Sequence, residues 1–450
     1  MSLASRNIAT GDEAQTLWEA SAPAEPARAE LIGGESVEVA IVGAGVAGLS
    51  LALHLAGRGV HAAVVEAREP GAGATGRSAG LIVPYLTRHT PASVQAKFGY
   101  EKARALLQLV SSAANYTFDL IGAEAERCGA IRGGFLSPVR GTDAVTRLRA
   151  SISDWRTLRG DIEFLDEKAT WLASGCVDYD GALFDPSGGA LNPLAYARFL
   201  AQEGERRGAA VFCNSAVVDV SRDGEGWRLR TARGSLAARM VVLCANGGNT
   251  SLHAALARTV LPMSVMQVAT SPVSEELRRQ VLPDRQALTD MEPDVFSIRY
   301  EPGGRLITAY PVLGRVPRKD WLDTRINSRL RAKLPPWRPL PLEYAWQGVA
   351  WLNSDLLPRL VNVAPNLYAV QACNGRGLAF NTVLGRHLGD WLAGGRRGDL
   401  SLELRPPQPI HRYFLARHVP GLLMKAAIAA QRFRGSLRRP TSRAHRGGLI

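Results

Sequence analysis

Apolar residues gather at Val37, Val39, Ile41 and Val42, give way to glycines at 43, 45 and 48, return at helical density through Leu49, Leu51, Ala52, Leu53 and Leu55, and stop at Gly57 and Gly59. A second apolar run, Ala62 to Val65, ends in Glu66. This change of period predicts a strand, a tight turn, a helix and a second strand. Residues 91–158 read as mainly helical, with Ala103, Leu106, Leu107, Val110 and Ala114 on one face. Asn192 and Pro193 open another helix that Gly208 closes before a strand at 209–212, and the runs at 227–231 and 236–243 form a hairpin-like pair. From about 261 to 338 the pattern is strand-rich, with candidate strands at 267–270, 296–300 and 305–310. Residues 366–372 then predict a strand, 373–377 a tight turn and 378–392 a helix. Residues 1–36 read as an extended arm containing Trp18.

Composition narrows the class. At 450 residues and 46% apolar content the chain can bury a large core, and no run of about 20 apolar residues suggests a membrane-spanning helix. The N-terminus lacks the apolar stretch of a secretory signal, so the expected location is the cytoplasm. Five scattered cysteines (128, 176, 213, 244, 373) support neither a disulfide framework nor a zinc site, and no metal is expected. The net charge of +13 suggests nucleic acid until it is located: ten of those charges lie from Leu404 onward, where no Asp or Glu occurs. The body is nearly neutral and a nucleic-acid partner is not expected. Residues 419–433 can pack as a helix, lie on an anionic membrane or bind a protein, with simple packing or a solvated tail favoured.

The glycine turn carries the chemistry. Gly43 permits the turn, Gly45 lets backbone approach a pyrophosphate, Gly48 allows close helix–strand packing, and the helix N-terminus offers free N–H groups to phosphate. Glu66 stands where a carboxylate accepts hydrogen bonds from ribose hydroxyls, and its charge disfavours a 2′-phosphate. FAD or NAD is therefore expected over NADP. Residues 70–80 are too glycine-rich for regular structure and read as a loop that hugs a ligand, with Arg77 supplying a cation.

Together with residues 17–21, 346–348, 355–358, 365–368 and 374–377, these stretches make the chain resemble the D-amino-acid-oxidase-like superfamily of FAD-dependent amine oxidoreductases, nearest to its gamma-glutamylputrescine oxidase branch, over roughly residues 15–435. The resemblance implies an α/β (α+β) fold: an FAD-binding Rossmann-like domain of glutathione-reductase type with an inserted antiparallel-sheet substrate domain. On that basis 1–36 is an N-terminal arm, 37–95, 186–260 and 341–400 are three parts of the FAD-binding domain, 96–185 is a helical and substrate region, 261–340 is the substrate-domain sheet, and 401–450 is a basic tail. It also implies FAD contacts, non-covalent, from Gly43, Gly45, Val46, Ala47, Gly48, Glu66, Ala67, Ala74, Thr75, Arg77, Ser78, Ala79, Gly80, Val217, Ala245, Asn374, Gly375, Arg376, Gly377 and Leu378.

The expected reaction is oxidation of a C–N bond of a small amine or amino acid: hydride leaves the α carbon for flavin N5, and the imine is hydrolysed. Oxygen or an electron carrier then takes the electrons. Relatives that act on small amino acids often carry an arginine just after the tryptophan–glycine strand, where this chain has Val349, Ala350 and Trp351; that departure points to an amine whose carboxylate, if present, lies further out. Arg299, Tyr300, Tyr310, Trp346 and Trp351 are the candidate pocket residues, with Arg299 or Arg376 available to meet an anion. Two alternatives stand beside this reading: a membrane-surface dehydrogenase passing electrons to a quinone or carrier, and a flavin-binding scaffold or assembly factor without turnover.

Overall fold

The computed structural model describes residues 15–292, 295–311, 318–419 and 421–422. Five parallel strands, Leu367–Gln371, Gly234–Leu243, Gly33–Val42, Ala62–Val65 and Ala210–Phe212, pair in that order at the centre of a nine-stranded sheet. Val39 to Val42 and Ala62 to Val65 are all buried, as strands covered on both faces require. Helices Val46–Ala56, Tyr100–Ile121, Pro193–Arg206 and Gly377–Leu392 bury their apolar sides against one face. A hairpin, Asp219–Asp223 and Gly226–Arg230, pairs with the first half of Gly234–Leu243, and its Trp227 and Leu229 help close the other face. The carboxyl ends of Gly33–Val42, Ala62–Val65, Gly234–Leu243 and Leu367–Gln371 thus open on one edge, where a doubly wound sheet binds its ligand.

A second, eight-stranded sheet runs in the order Leu342–Leu352, Leu261–Pro272, Arg305–Pro311, Ser297–Tyr300, Ala287–Thr289, Phe135–Val139, Gly181–Asp185, Glu163–Asp166. Its outer face has its own core around Met266, Val268, Ile298 and Leu306. Helix Lys319–Lys333 lies on that core through Leu322, Ile326 and Leu330, spaced by four. This helix interrupts the stretch that reads as strand-rich in the sequence, where three buried leucine and isoleucine positions among many charges are an inconspicuous signal. Three further boundaries differ from expectation. The sheet draws three strands from 135–185, its edge strand Leu342–Leu352 falls within the segment assigned to the FAD-binding domain, and Leu404–Arg405 joins the edge of the first sheet at the start of the basic tail. Most of the candidate helix at 419–433 lies outside the described residues.

The N-terminal arm is not simply extended. Leu17–Ser21 is a helix capped by Thr16, whose hydroxyl accepts from Glu19 N–H while the Glu19 carboxylate accepts from Thr16 N–H. Such a cap contributes about 1 kcal/mol. Trp18 is fully buried edge-on to Trp346, with ring centroids 5.6 Å apart. Its indole N–H donates to Ser78 O at 2.9 Å, and the Trp346 indole donates to Arg77 O at 3.2 Å.

His54 joins the glycine-turn helix to its neighbours. Its Nδ1–H donates to Ser50 O at 2.6 Å and its Nε2 accepts from the Tyr116 hydroxyl. Burial, with Arg58, Arg207 and Arg386 around the ring, lowers its pKa to about 4. The unfolded chain takes up a proton near pH 6.5, so the stability this neutral ring contributes is complete above 6.5 and is lost as pH falls towards 4. Between pH 7 and 4.5, chemical unfolding should show wild type losing on the order of 2–3 kcal/mol more than His54→Phe; an equal loss in the variant would refute the assignment.

Candidate cofactor and active site

The glycine turn is shaped by what surrounds it. Gly43 has φ +106°, and a Cβ there would lie 3.0 Å from the Ala245 backbone. A Cβ on Gly48 would lie 2.1 Å from Gly43 O, so no larger residue fits between helix and strand. Gly45 is extended, and an added Cβ would meet only Thr75 Oγ1, at 3.2 Å. The following helix has no side-chain cap, which leaves its first N–H groups free except for Val46 N–H, which donates to Thr75 Oγ1 at 3.3 Å. Glu66 accepts from Ala44 N–H at 2.7 Å and from Arg68 N–H at 3.0 Å, which fixes its carboxylate at the strand end.

Two cavities meet above this turn. The first, about 400 Å³, is lined by Gly43, Gly45, Val46, Ala47, Glu66, Ala67, Ala74, Thr75, Val217 and Ala245 among others. The second, about 280 Å³, lies between the loop 74–81 and the inner face of the eight-stranded sheet; Arg77, Ser78, Ala79, Gly80, Gly375, Arg376, Gly377 and Leu378 line it. Val46, Ala74, Thr75, Asn246, Cys373 and Asn381 border both. Gly48 and Asn374 line neither: Gly48 packs beneath the turn, and Asn374, at φ +43°, shapes the 373–377 turn while its Oδ1 accepts from Asn353 N–H. A larger cleft, about 620 Å³, between Phe98, Lys102, Arg359 and Leu404 is remote from the glycine turn and mixes acids with bases.

Arg376 stands at the N-terminus of helix Gly377–Leu392 with one long hydrogen bond, 3.5 Å to Leu86 O. Burial lowers its pKa to about 10, still well above neutrality, so it remains a cation beside a helix N-terminus. Asn381, one turn further on, has a buried Oδ1 without a partner. The sequence shows it only as a lone amide within an apolar helix.

Residues 38–391 match the family model described as DAO, FAD dependent oxidoreductase. The chain belongs to this family. Among curated relatives it is 26% identical to gamma-glutamylputrescine oxidoreductase of Escherichia coli K12 over 359 residues, covering 79% of this chain and 84% of that one. Among solved structures, glycine oxidase from Geobacillus kaustophilus superposes with a TM-score of 0.67 at 20% identity, over 84% of this chain and 99% of the other. Iminodiacetate oxidase from Chelativorans sp. BNC1 gives 0.63 at 19%, over 84% and 98%. At these identities the structural matches establish the fold. Membership of the DAO family makes the chain an FAD-dependent oxidoreductase. No described helix is long and apolar enough to cross a membrane.

Within the DAO fold the five candidate pocket residues separate. Tyr300 and Tyr310 project from the outer face of the sheet: Tyr300 is buried in the second core and Tyr310 packs edge-on to Trp321, 6.0 Å away. The alternation of a strand turns them away from the cavity. Trp346 is buried behind the loop as described, and Trp351 packs on Gly247, where a Cβ would come within 1.9 Å of its ring. None of these four aromatic side chains lines the second cavity. Val349 and Ala350 do, so the position of the absent arginine is an apolar wall.

Arg299 shares the inner face with Trp346 and, like it, does not line the second cavity. It is 1% exposed, its guanidinium lies 5.4 Å from the Trp18 ring, and neither Nη has a partner. Burial without a nearby carboxylate lowers its pKa to about 9. Several lining residues were not expected from sequence, among them Asn246, Met263, Gln267, Thr289 and Ser297. No lysine lines this cavity among the described residues, and Lys333 sits over Tyr179 in the second core.

Proposed function

We propose that the chain oxidises the C–N bond of an amine carrying an acidic group away from the reacting carbon, using FAD held non-covalently across both cavities. The supporting observation is the join itself: a polar cavity at a glycine turn opens into an apolar one under a sheet, a match to the two ends of a flavin dinucleotide. The residues fit such a ligand. Gly45 leaves space, the uncapped helix N-terminus can meet the pyrophosphate, Glu66 and Val217 flank the adenosine end, and the unpartnered Asn381 Oδ1 lies where the two ends meet. Arg376 and the helix behind it would place positive potential at the ring end.

Bound FAD supplies the two-electron acceptor for the carbon next to nitrogen. The chain's task is to hold that carbon, exclude water and keep the nitrogen neutral. Among the described residues the ring-end lining contains no carboxylate or histidine, so no general base is assigned. Desolvation and the cations Arg77 and Arg376 instead favour an uncharged amine. Arg299 lies outside that lining on the same sheet face, and its two unpartnered Nη atoms make it the group that would meet the substrate's acidic end. The likeness to gamma-glutamylputrescine oxidoreductase supports an amine of this kind.

Anaerobic mixing of the purified, yellow protein with a panel of mono- and diamines, N-acylated diamines bearing a carboxylate, and α-amino acids tests the proposal. Acid-bearing amines should bleach the flavin band fastest. Indifference to every amine and amino acid would refute it and favour a scaffold.

A further inference from the structure

The inner face of the eight-stranded sheet carries a polar row that neither the cofactor nor the family comparison accounts for. Thr289 pairs with Ser297, and Gln267 pairs with both Ala309 and Trp346. Ile298 pairs with Thr308, which brings Ser297 level with Ala309. Thr289, Ser297, Ala309 and Gln267 therefore stand side by side across four strands, and all four line the ring-end cavity. Ser297 is 3% and Gln267 4% exposed. The two hydroxyls lie 3.0 Å apart, one donating to the other. The Gln267 side chain makes no hydrogen bond, and its Oε1 is buried.

A buried amide oxygen without a partner is costly in a folded protein, because water has been removed from it and nothing replaces it. Its surroundings define the missing partner. The other sheet residues here, Met263, Val265, Ala309, Gly348, Val349 and Ala350, are apolar, and among the described residues the charged lining side chains are Arg77 and Arg376. An ammonium would meet the Arg376 cation and, among the described lining residues, no carboxylate. A neutral amine, by contrast, has N–H donors for an amide oxygen and a hydroxyl, and its lone pair stays free.

We propose that Gln267, assisted by Ser297 and Thr289, binds the reacting nitrogen of the substrate as the free base, and that this row selects amines over isosteres that cannot donate. The proposal rests on the oxidoreductase reading above and adds the residues that recognise nitrogen. Fixed N–H donation to one wall also orients the adjacent C–H, so the row is a positioning device as well as a filter.

The test uses the FAD-loaded enzyme, the best amine of the panel and its thioether isostere. Binding is read from perturbation of the flavin band and turnover from anaerobic bleaching. Wild type should bind the amine roughly ten- to a hundredfold more tightly than the thioether, the range expected for a buried hydrogen bond to a group otherwise unsatisfied. Gln267→Met should bind both alike, with an unchanged flavin spectrum. Ser297→Ala should lose a smaller part of the preference, which keeps the test decisive if the first variant folds poorly. Wild-type kcat/KM should rise with pH through the pKa of the free amine, whereas Gln267→Glu should bind the ammonium and flatten that rise. Equal discrimination in wild type and both neutral variants, or a profile indifferent to the pKa of the amine, would overturn the assignment. Failure of every amine to bleach wild type would instead overturn the oxidation reading.

Discussion

Gly45→Asp should purify colourless and fail to take up FAD, with an affinity loss of at least a hundredfold, yet remain folded. The reason is local. Gly45 has φ −81° and ψ 177°, a conformation open to any residue, and an added Cβ meets only the Thr75 hydroxyl. A carboxylate there would occupy the space next to the free helix N–H groups and accept from them itself, as an N-cap aspartate does. Helix stability should therefore rise slightly while the anion site is filled from within. Far-UV circular dichroism and the urea midpoint check the fold, and flavin absorbance after reconstitution checks the site. Gly48→Ala makes the contrast: its Cβ would lie 2.1 Å from Gly43 O, so the fold itself should suffer. Retention of yellow colour in Gly45→Asp would exclude this turn as the pyrophosphate site.

Arg299→Met should change stability and activity in opposite directions. An unpaired guanidinium in an apolar setting carries a desolvation cost that a thioether of similar length does not, so the variant should gain about 1–4 kcal/mol, by analogy with buried ion pairs replaced by apolar residues. The cost stands in full at neutral pH, where the group is charged in both folded and unfolded chains. It eases only above about 9, where the folded form releases its proton before the unfolded form, so wild-type stability should rise with pH in that range and the variant's should not. Turnover of amines bearing a carboxylate should fall roughly a hundred- to a thousandfold, the scale of losing one partner of a buried charge pair, while amines without one are spared. Equal loss on both classes would assign Arg299 to packing alone.

The two halves of the site differ in how openly the sequence declares them. The cofactor half is written in residues whose type is dictated by backbone geometry: Gly43 by its positive φ, Gly48 by contact with a carbonyl, Glu66 by its place at a strand end. Such constraints leave a local signature, and the strand, turn and helix from 33 to 65 and from 367 to 392 follow it closely. The substrate half is assembled from four strands distant in sequence, and which face each residue adopts depends on register. Tyr300 and Tyr310 are plausible pocket aromatics until pairing shows that their neighbours Arg299 and Ala309 take the inner face. Gln267 has no local signal at all, since one polar residue in an apolar strand becomes meaningful only when its partners across the sheet are known. The arm is a similar case, because nothing near Trp18 announces that its partner is Trp346.

That indole pair has a consequence for the order of assembly. Trp18 leaves the ribosome early, but the strand bearing Trp346 is made near the far end of the chain, and both tryptophans grip carbonyls of the same glycine-rich loop. The beginning of the polypeptide is therefore among the last parts to seat, and until it does, the loop between the two cavities has no latch.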